Sequence, residues 1–308
     1  MGDVIELADG RCFGLARYGA VDGDPVLALH GAPASRIMFD VADGPAKKLG
    51  LTLYCPDRPG YGLTPKEDAP SLEARVRDLE LIADALSLNQ FSVLGVSGGG
   101  PYAVALAARL GDRVRGLGLV SPLGPVAQFE KARKSGHIGK EHDRLSRGHR
   151  IFFLDLPKIS SVLAVQAGIS ARVFKAAPHL FARLFALSLS KSDRKVLQQP
   201  HVQESLIDMT LEALRQGVVG GLADLEVFSK PWPVKFEAIT APAILWQGTA
   251  DRIVPAAVSV WLSGLIPNCR LERLEDCGHF WVYDHIEEVL GGLAGISRSA
   301  SAGADAAD

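Results

Sequence analysis

Gly95-Val96-Ser97-Gly98-Gly99 is the stretch on which the reading of this chain turns. It follows Phe91-Ser92-Val93-Leu94, an apolar run of buried-strand type, and leads into Gly100-Pro101-Tyr102-Ala103, where proline suits a first helical turn. A serine between glycines, set where a strand passes into a helix, is the pattern of a nucleophile elbow. Residues two before and two after the serine approach each other in so tight a turn, and glycine there avoids a clash. Three fixed positions match by chance about 0.1 times in a chain of this length, so the strand-to-helix setting carries the argument. A phosphate-cradling loop would need Lys-[Ser/Thr] after the glycines, or G-x-G-x-x-G spacing. Neither is present.

Short apolar runs at 26–30, 51–55, 114–120, 243–247 and 271–274 join 91–96 as expected strands. Amphipathic patterns at 72–88, 101–110, 256–265 and 280–293 are the expected helices, and residues 3–18, turning at Asp9-Gly10, an N-terminal hairpin. This alternation predicts an α/β fold with a mostly parallel sheet covered on both faces. Residues 123–233 break the rhythm: helical patterns punctuated by Pro157, Pro178, Pro200 and Pro231, with no strand. The expected organisation is a core of 1–122 and 234–296, a helical lid of 123–233 inserted into it, and a disordered tail of 297–308, rich in Ala, Ser, Gly and Asp.

The 308 residues are 47% hydrophobic and 22% charged, an ordinary globular profile. A net charge of −2 argues against nucleic acid or an anionic membrane as a partner of the whole surface. The first ten residues hold Asp3, Glu6 and Asp9 and no apolar run, so neither a signal peptide nor a membrane segment is expected. Cys12, Cys55, Cys269 and Cys277 stand singly. Their scatter predicts no metal site, no redox pair and no disulfide framework, and hence a reduced, cytoplasmic protein without a cofactor.

An activated serine needs a base, an acid to orient it, and donors for the oxyanion. His279, in Cys277-Gly278-His279-Phe280 between the last strand and last helix, lies where the Ser…Asp…His chain order puts the base. Asp251, in Gly248-Thr249-Ala250-Asp251 after the 243–247 strand, is the expected acid; the loop one strand earlier, Ser121-Pro122-Leu123-Gly124-Pro125, has no carboxylate. The expected oxyanion donors are the N–H groups of Gly98 and of Ala32, in His30-Gly31-Ala32-Pro33, since Pro33 has none. His30 reads as a residue that shapes its loop. His137, His142 and His149 lack the spacing of a zinc triad.

With these motifs in order, and with Asp57-Arg58-Pro59-Gly60-Tyr61-Gly62 between them, the chain resembles the α/β-hydrolase superfamily over residues 20–293, in its lid-bearing serine hydrolase and esterase branch with an H-G-x-P oxyanion loop. The resemblance implies an eight-stranded, mostly parallel sheet. It also implies the roles just given to Ser97, Asp251, His279, Ala32 and Gly98, and a buttressing role for residues 57–62. Related epoxide hydrolases and dehalogenases carry Asp at the nucleophile position, and proline iminopeptidases resemble G-x-S-W-G with an acidic lid. Ser97, Gly98 and the basic lid depart from both.

The expected reaction is hydrolysis of a carboxylic ester or thioester through an acyl-enzyme. The same residues could serve C–C bond hydrolysis, lactone chemistry or natural-product cyclisation, and a fold of this kind can also be kept as a ligand receptor. The expected partner is a small apolar ester, lodged against Phe152, Phe153 and Trp232. The basic stretch Lys131, Arg133, Lys134, Lys140, Arg144, Arg147 and Arg150 reads first as a solvated helix face and second as a guide for an anionic carrier protein or CoA substrate.

Overall fold

A computed structural model describes residues 3–138 and 145–305. Eight strands make one sheet: β1 (Asp3–Glu6), β2 (Cys12–Gly19), β3 (Asp24–Leu29), β4 (Leu51–Pro56), β5 (Phe91–Val96), β6 (Val114–Val120), β7 (Ala243–Gly248) and β8 (Cys269–Leu274). They lie in the order β1-β2-β4-β3-β5-β6-β7-β8. β1 and β2 pair antiparallel, as does β2 with β4, and every later pairing is parallel. The six strands expected from apolar runs and the N-terminal hairpin are all present.

The helices are α1 (Asp43–Leu49), α2 (Leu72–Ala85), α3 (Gly100–Leu110), α4 (Val126–Lys134), α5 (Arg147–Arg150), α6 (Ser160–Ala176), α7 (Pro178–Ser188), α8 (Lys191–Leu197), α9 (Pro200–Ala213), α10 (Val219–Phe228), α11 (Ala256–Leu265) and α12 (Val282–Asp305). α2, α3 and α11 bury one face of the sheet, and α1 and α12 the other. Strands β3 to β7 are therefore covered on both sides, which is why they read as apolar runs without alternation. Between β6 and β7 the described residues hold helices and no strand.

From β3 the chain steps outward to β4 and then returns to the other side of β3 as β5. The loops leaving β3 and β5 therefore diverge from adjacent strand ends and open a crevice, the position where ligands bind in sheets of this kind. His30 to Ala32 leave β3, and Ser97 leaves β5.

The tail corrects one expectation. α12 continues to Asp305, where 297–308 was expected to be disordered; residues 306–308 lie outside the described residues. Ala and Ser interrupt no helix, and a segment already in register behind α12 needs no nucleation of its own. No single helix among the described residues is long and apolar enough to cross a membrane.

Candidate active site

Ser97 has φ of 53°, in the left-handed region that strains any residue with a Cβ. The turn brings the flanking residues so close to their surroundings that side chains there do not fit. A Cβ on Gly99 would fall 2.2 Å from the Leu29 carbonyl oxygen, and one on Gly95 would fall 2.6 Å from Ala103 Cβ. Both glycines are thus required by close approach, as the flanking pattern implied. Leu123 N–H, donating to Ser97 O at 2.9 Å, ties the elbow to the segment after β6.

His279 sits on the loop after β8 with Nε2 3.0 Å from Ser97 Oγ, and its Nδ1 lies 2.8 Å from Asp251 Oδ2. A carboxylate only accepts, so Nδ1 carries the proton and Nε2 is left to accept from the serine hydroxyl. Asp251 Oδ1 accepts from Ile253 N–H at 2.8 Å and Val254 N–H at 3.0 Å, which aims its other oxygen at the imidazole. The loops after β7 and β8 are joined by Ala250 N–H donating to Cys277 O at 2.9 Å. Burial disfavours the imidazolium of His279, but the charge of Asp251 and the hydrogen bond to it outweigh burial, with Asp193 adding, and the pKa stands above 6.5. Burial likewise opposes ionisation of Asp251; His279 and the two N–H donors reverse this, and its pKa lies below 3.8.

Ala32 faces Gly98: a Cβ on Gly98 would fall 3.1 Å from Ala32 N. The loop bearing Ala32 is fixed from beneath. Arg58 donates through Nη2 to Gly31 O at 2.7 Å and through Nη1 to His30 O. His30 Nε2 accepts from Arg58 N–H at 3.1 Å, so its Nδ1 bears the proton and donates to Gly31 O at 2.8 Å. Burial first, and then the Arg58 charge, hold the His30 pKa well below 6.5, which leaves a neutral ring that shapes its loop.

Arg58 is itself buried and must be paired. Its partner is Asp224 of α10, at 2.6 Å, which also accepts from Tyr61 Oη at 2.8 Å and Tyr102 Oη at 2.6 Å. Burial alone would weaken the guanidinium; Asp224 keeps it protonated, and burial with the Asp224 charge holds both phenols neutral. Neither Asp224 nor Asp193 stands in a motif of the sequence. Asp224 shares its helix with a second carboxylate, Glu226, and nothing local marks which of the two is buried. Asp193 lies three residues after Ser190 and looks like an ordinary helix-start acid.

A cavity of about 560 Å³ lies over Ser97 and His279. Phe152, Phe153, Phe174, Phe181, Met209 and Phe228 are among its walls, and few polar side chains interrupt them. Trp232 is a correction: it does not line this cavity but is buried in the main core, where the Gln128 side chain of α4 accepts from its backbone N–H at 2.9 Å and donates to its backbone carbonyl at 3.0 Å. An aromatic residue at the end of the helical segment seals the segment against the sheet domain, and composition cannot say which apolar side chains face inward. The basic stretch is also partly spoken for. Glu130, buried, faces Arg133, Lys134 and Arg150, while Lys140 and Arg144 lie outside the described residues. Among the described residues no cluster of His, Cys, Asp and Glu could hold a metal ion.

Residues 26–291 match the alpha/beta hydrolase family, and the chain belongs to it. A 2-hydroxymuconate semialdehyde hydrolase from Pseudomonas putida is 26% identical over 269 residues, covering 86% of this chain and 84% of the relative. Among solved structures, an alpha/beta hydrolase fold protein from Nakamurella multipartita aligns with TM-score 0.67 at 23% identity, over 96% of this chain and all of that one. An esterase from Exiguobacterium antarcticum aligns with TM-score 0.69 at 19% identity, over 97% of this chain and all of that one. At these identities the two structures show the shared fold.

Proposed function

We propose that this member of the alpha/beta hydrolase family is a serine esterase acting on carboxylic esters or thioesters with an apolar acyl or alcohol part. The observation that carries the reading is the chain of hydrogen bonds from Ser97 through His279 to Asp251, at the floor of an apolar cavity.

His279, neutral, takes the proton of Ser97 as Oγ attacks the ester carbonyl. The Ala32 and Gly98 N–H groups hold the oxyanion, helped by the start of α3, and His279 returns its proton to the leaving alcohol, or to the leaving thiol of a thioester. Water activated by the same imidazole then releases the acid. Asp251 keeps the tautomer and favours the transient imidazolium. The helices of 123–233 serve as a lid whose aromatic side chains exclude water and hold the apolar group, Phe152 and Phe153 among them. Substrate selection by a CoA or carrier anion has less support, because Glu130 already engages three of the cations on which it would rest.

Labelling with a fluorophosphonate probe tests the reading. Wild type is expected to label and Ser97→Ala not to; a folded wild type that does not label overturns it. The Pseudomonas relative, named for a semialdehyde, favours a second reading in which the same residues hydrolyse a C–C bond. Labelling without turnover of simple aryl esters would select that reading.

A further inference from the structure

We propose that the outer face of α6 and α7 docks onto an anionic lipid surface. Val162, Val165, Ile169 and Val173 form a stripe along α6 and are each more than half exposed, at 63%, 65%, 55% and 53%. Leu180, Leu184 and Leu187 form a second stripe on α7, which packs against α6, exposed at 58%, 59% and 66%. Single exposed apolar residues are ordinary, but seven of them in stripes along two helices in contact mark a binding surface.

Charge identifies the occupant. Between Asp155 and Asp193 the sequence has no Asp or Glu, yet it holds Lys158, Arg172, Lys175, Arg183 and Lys191. The net charge of −2 averages this local excess away. Arg172 and Arg183 stand three residues from Ile169 and Leu180, so each borders the apolar stripe of its own helix. Arg172, Arg183 and Lys191 are exposed and have no ion-pair partner among the described residues. An apolar stripe edged by cations suits the boundary between acyl chains and anionic headgroups. A second copy fits less well, because two-fold pairing would set these cations against their own equivalents.

The geometry is that of a segment lying in the interface, not spanning it. Residues 147–159 and 161–176 reach the apolarity of a membrane span only when taken together, and they are bent by 112°. Phe185 of α7, and Phe152 shortly before α6, are half-exposed and also line the cavity over Ser97. An apolar molecule could therefore pass from lipid into the cavity with little exposure to water. Docking itself does not depend on the esterase reading.

The test is co-sedimentation of the full chain with vesicles of phosphatidylcholine alone, and of phosphatidylcholine with an equal part of phosphatidylglycerol. Binding to the anionic vesicles is expected to be at least about ten-fold tighter and to weaken with salt. Val165→Asp with Ile169→Asp should abolish binding, and Arg172→Glu with Arg183→Glu should remove the preference for anionic lipid. All four positions are exposed, and an unchanged circular dichroism melt checks the fold. Absence of binding to anionic vesicles, or equal binding to both compositions, overturns the proposal. So does a dimer, by sedimentation velocity, that the apolar-to-Asp pair converts to monomer, which would assign the face to a second copy.

Discussion

Asp193 Oδ1 accepts the backbone N–H of Phe280 at 2.7 Å, so a side chain of α8 holds the residue next to His279. The same carboxylate lies against Gly278, where a Cβ would fall 2.2 Å from it. One buried acid from the helical segment thus braces the loop that carries the imidazole and adds negative charge beside it.

That position makes Asp193 a positioning residue with a pH signature. The base works neutral, so kcat/KM rises with pH through the His279 pKa, and in wild type the midpoint is expected above 6.5. Asp193→Asn removes a charge that favours the imidazolium, which lowers that pKa. The acid limb should then move to lower pH. A fall in kcat with an unmoved midpoint, in a pH series on one aryl ester, would leave Asp193 a brace only.

Ser97→Ala should lower kcat by about three orders of magnitude or more while the thermal melt stays in place. Asp251→Asn should lower kcat by about four orders with a smaller effect on KM, because the amide can donate to Nδ1, which favours the wrong imidazole tautomer, and no longer balances the imidazolium charge. Steady-state kinetics on the two variants checks both.

Asp224→Ala should destabilise the protein by about 3–5 kcal/mol, because it strands the buried guanidinium of Arg58. The double variant Arg58→Met, Asp224→Leu should cost less than the two single changes summed. Urea unfolding monitored by tryptophan fluorescence measures both. Residual activity should fall more than stability predicts, since Arg58 also holds the Gly31 carbonyl.

Phe152 and Phe185 line the cavity yet are about half exposed, so truncating either costs little stability. Phe185→Ala should raise KM about ten-fold for a long-chain p-nitrophenyl ester, on the basis of roughly 1.5 kcal/mol of lost apolar burial. The acetyl ester should be unaffected. Equal losses on both esters would place the acyl chain elsewhere.

Much of this was legible in one dimension because local chemistry demanded it. Apolar runs of five to seven residues announced strands buried on both faces, and the glycines around Ser97 announced a turn with no room for side chains. Chain order led to His279 and Asp251, which lie 182 and 154 positions from Ser97 and yet meet it through successive hydrogen bonds. These signals are local or ordinal, and a linear reading carries them intact.

What only the tertiary structure decided are contacts between parts that share no local signature. Asp193 and Asp224 are ordinary helix residues until folding sets one against Phe280 N–H and the other against Arg58. Trp232 is one aromatic residue among several until packing turns it into the core and leaves Phe152 at the cavity. The apolar residues of α6 and α7 carry no mark in the sequence of being buried or exposed, and only the fold leaves them more than half exposed among the described residues. The reason is physical: propensity and pattern act over a few residues, whereas pairing of a buried charge and covering of an apolar face are settled by whatever the rest of the chain brings alongside.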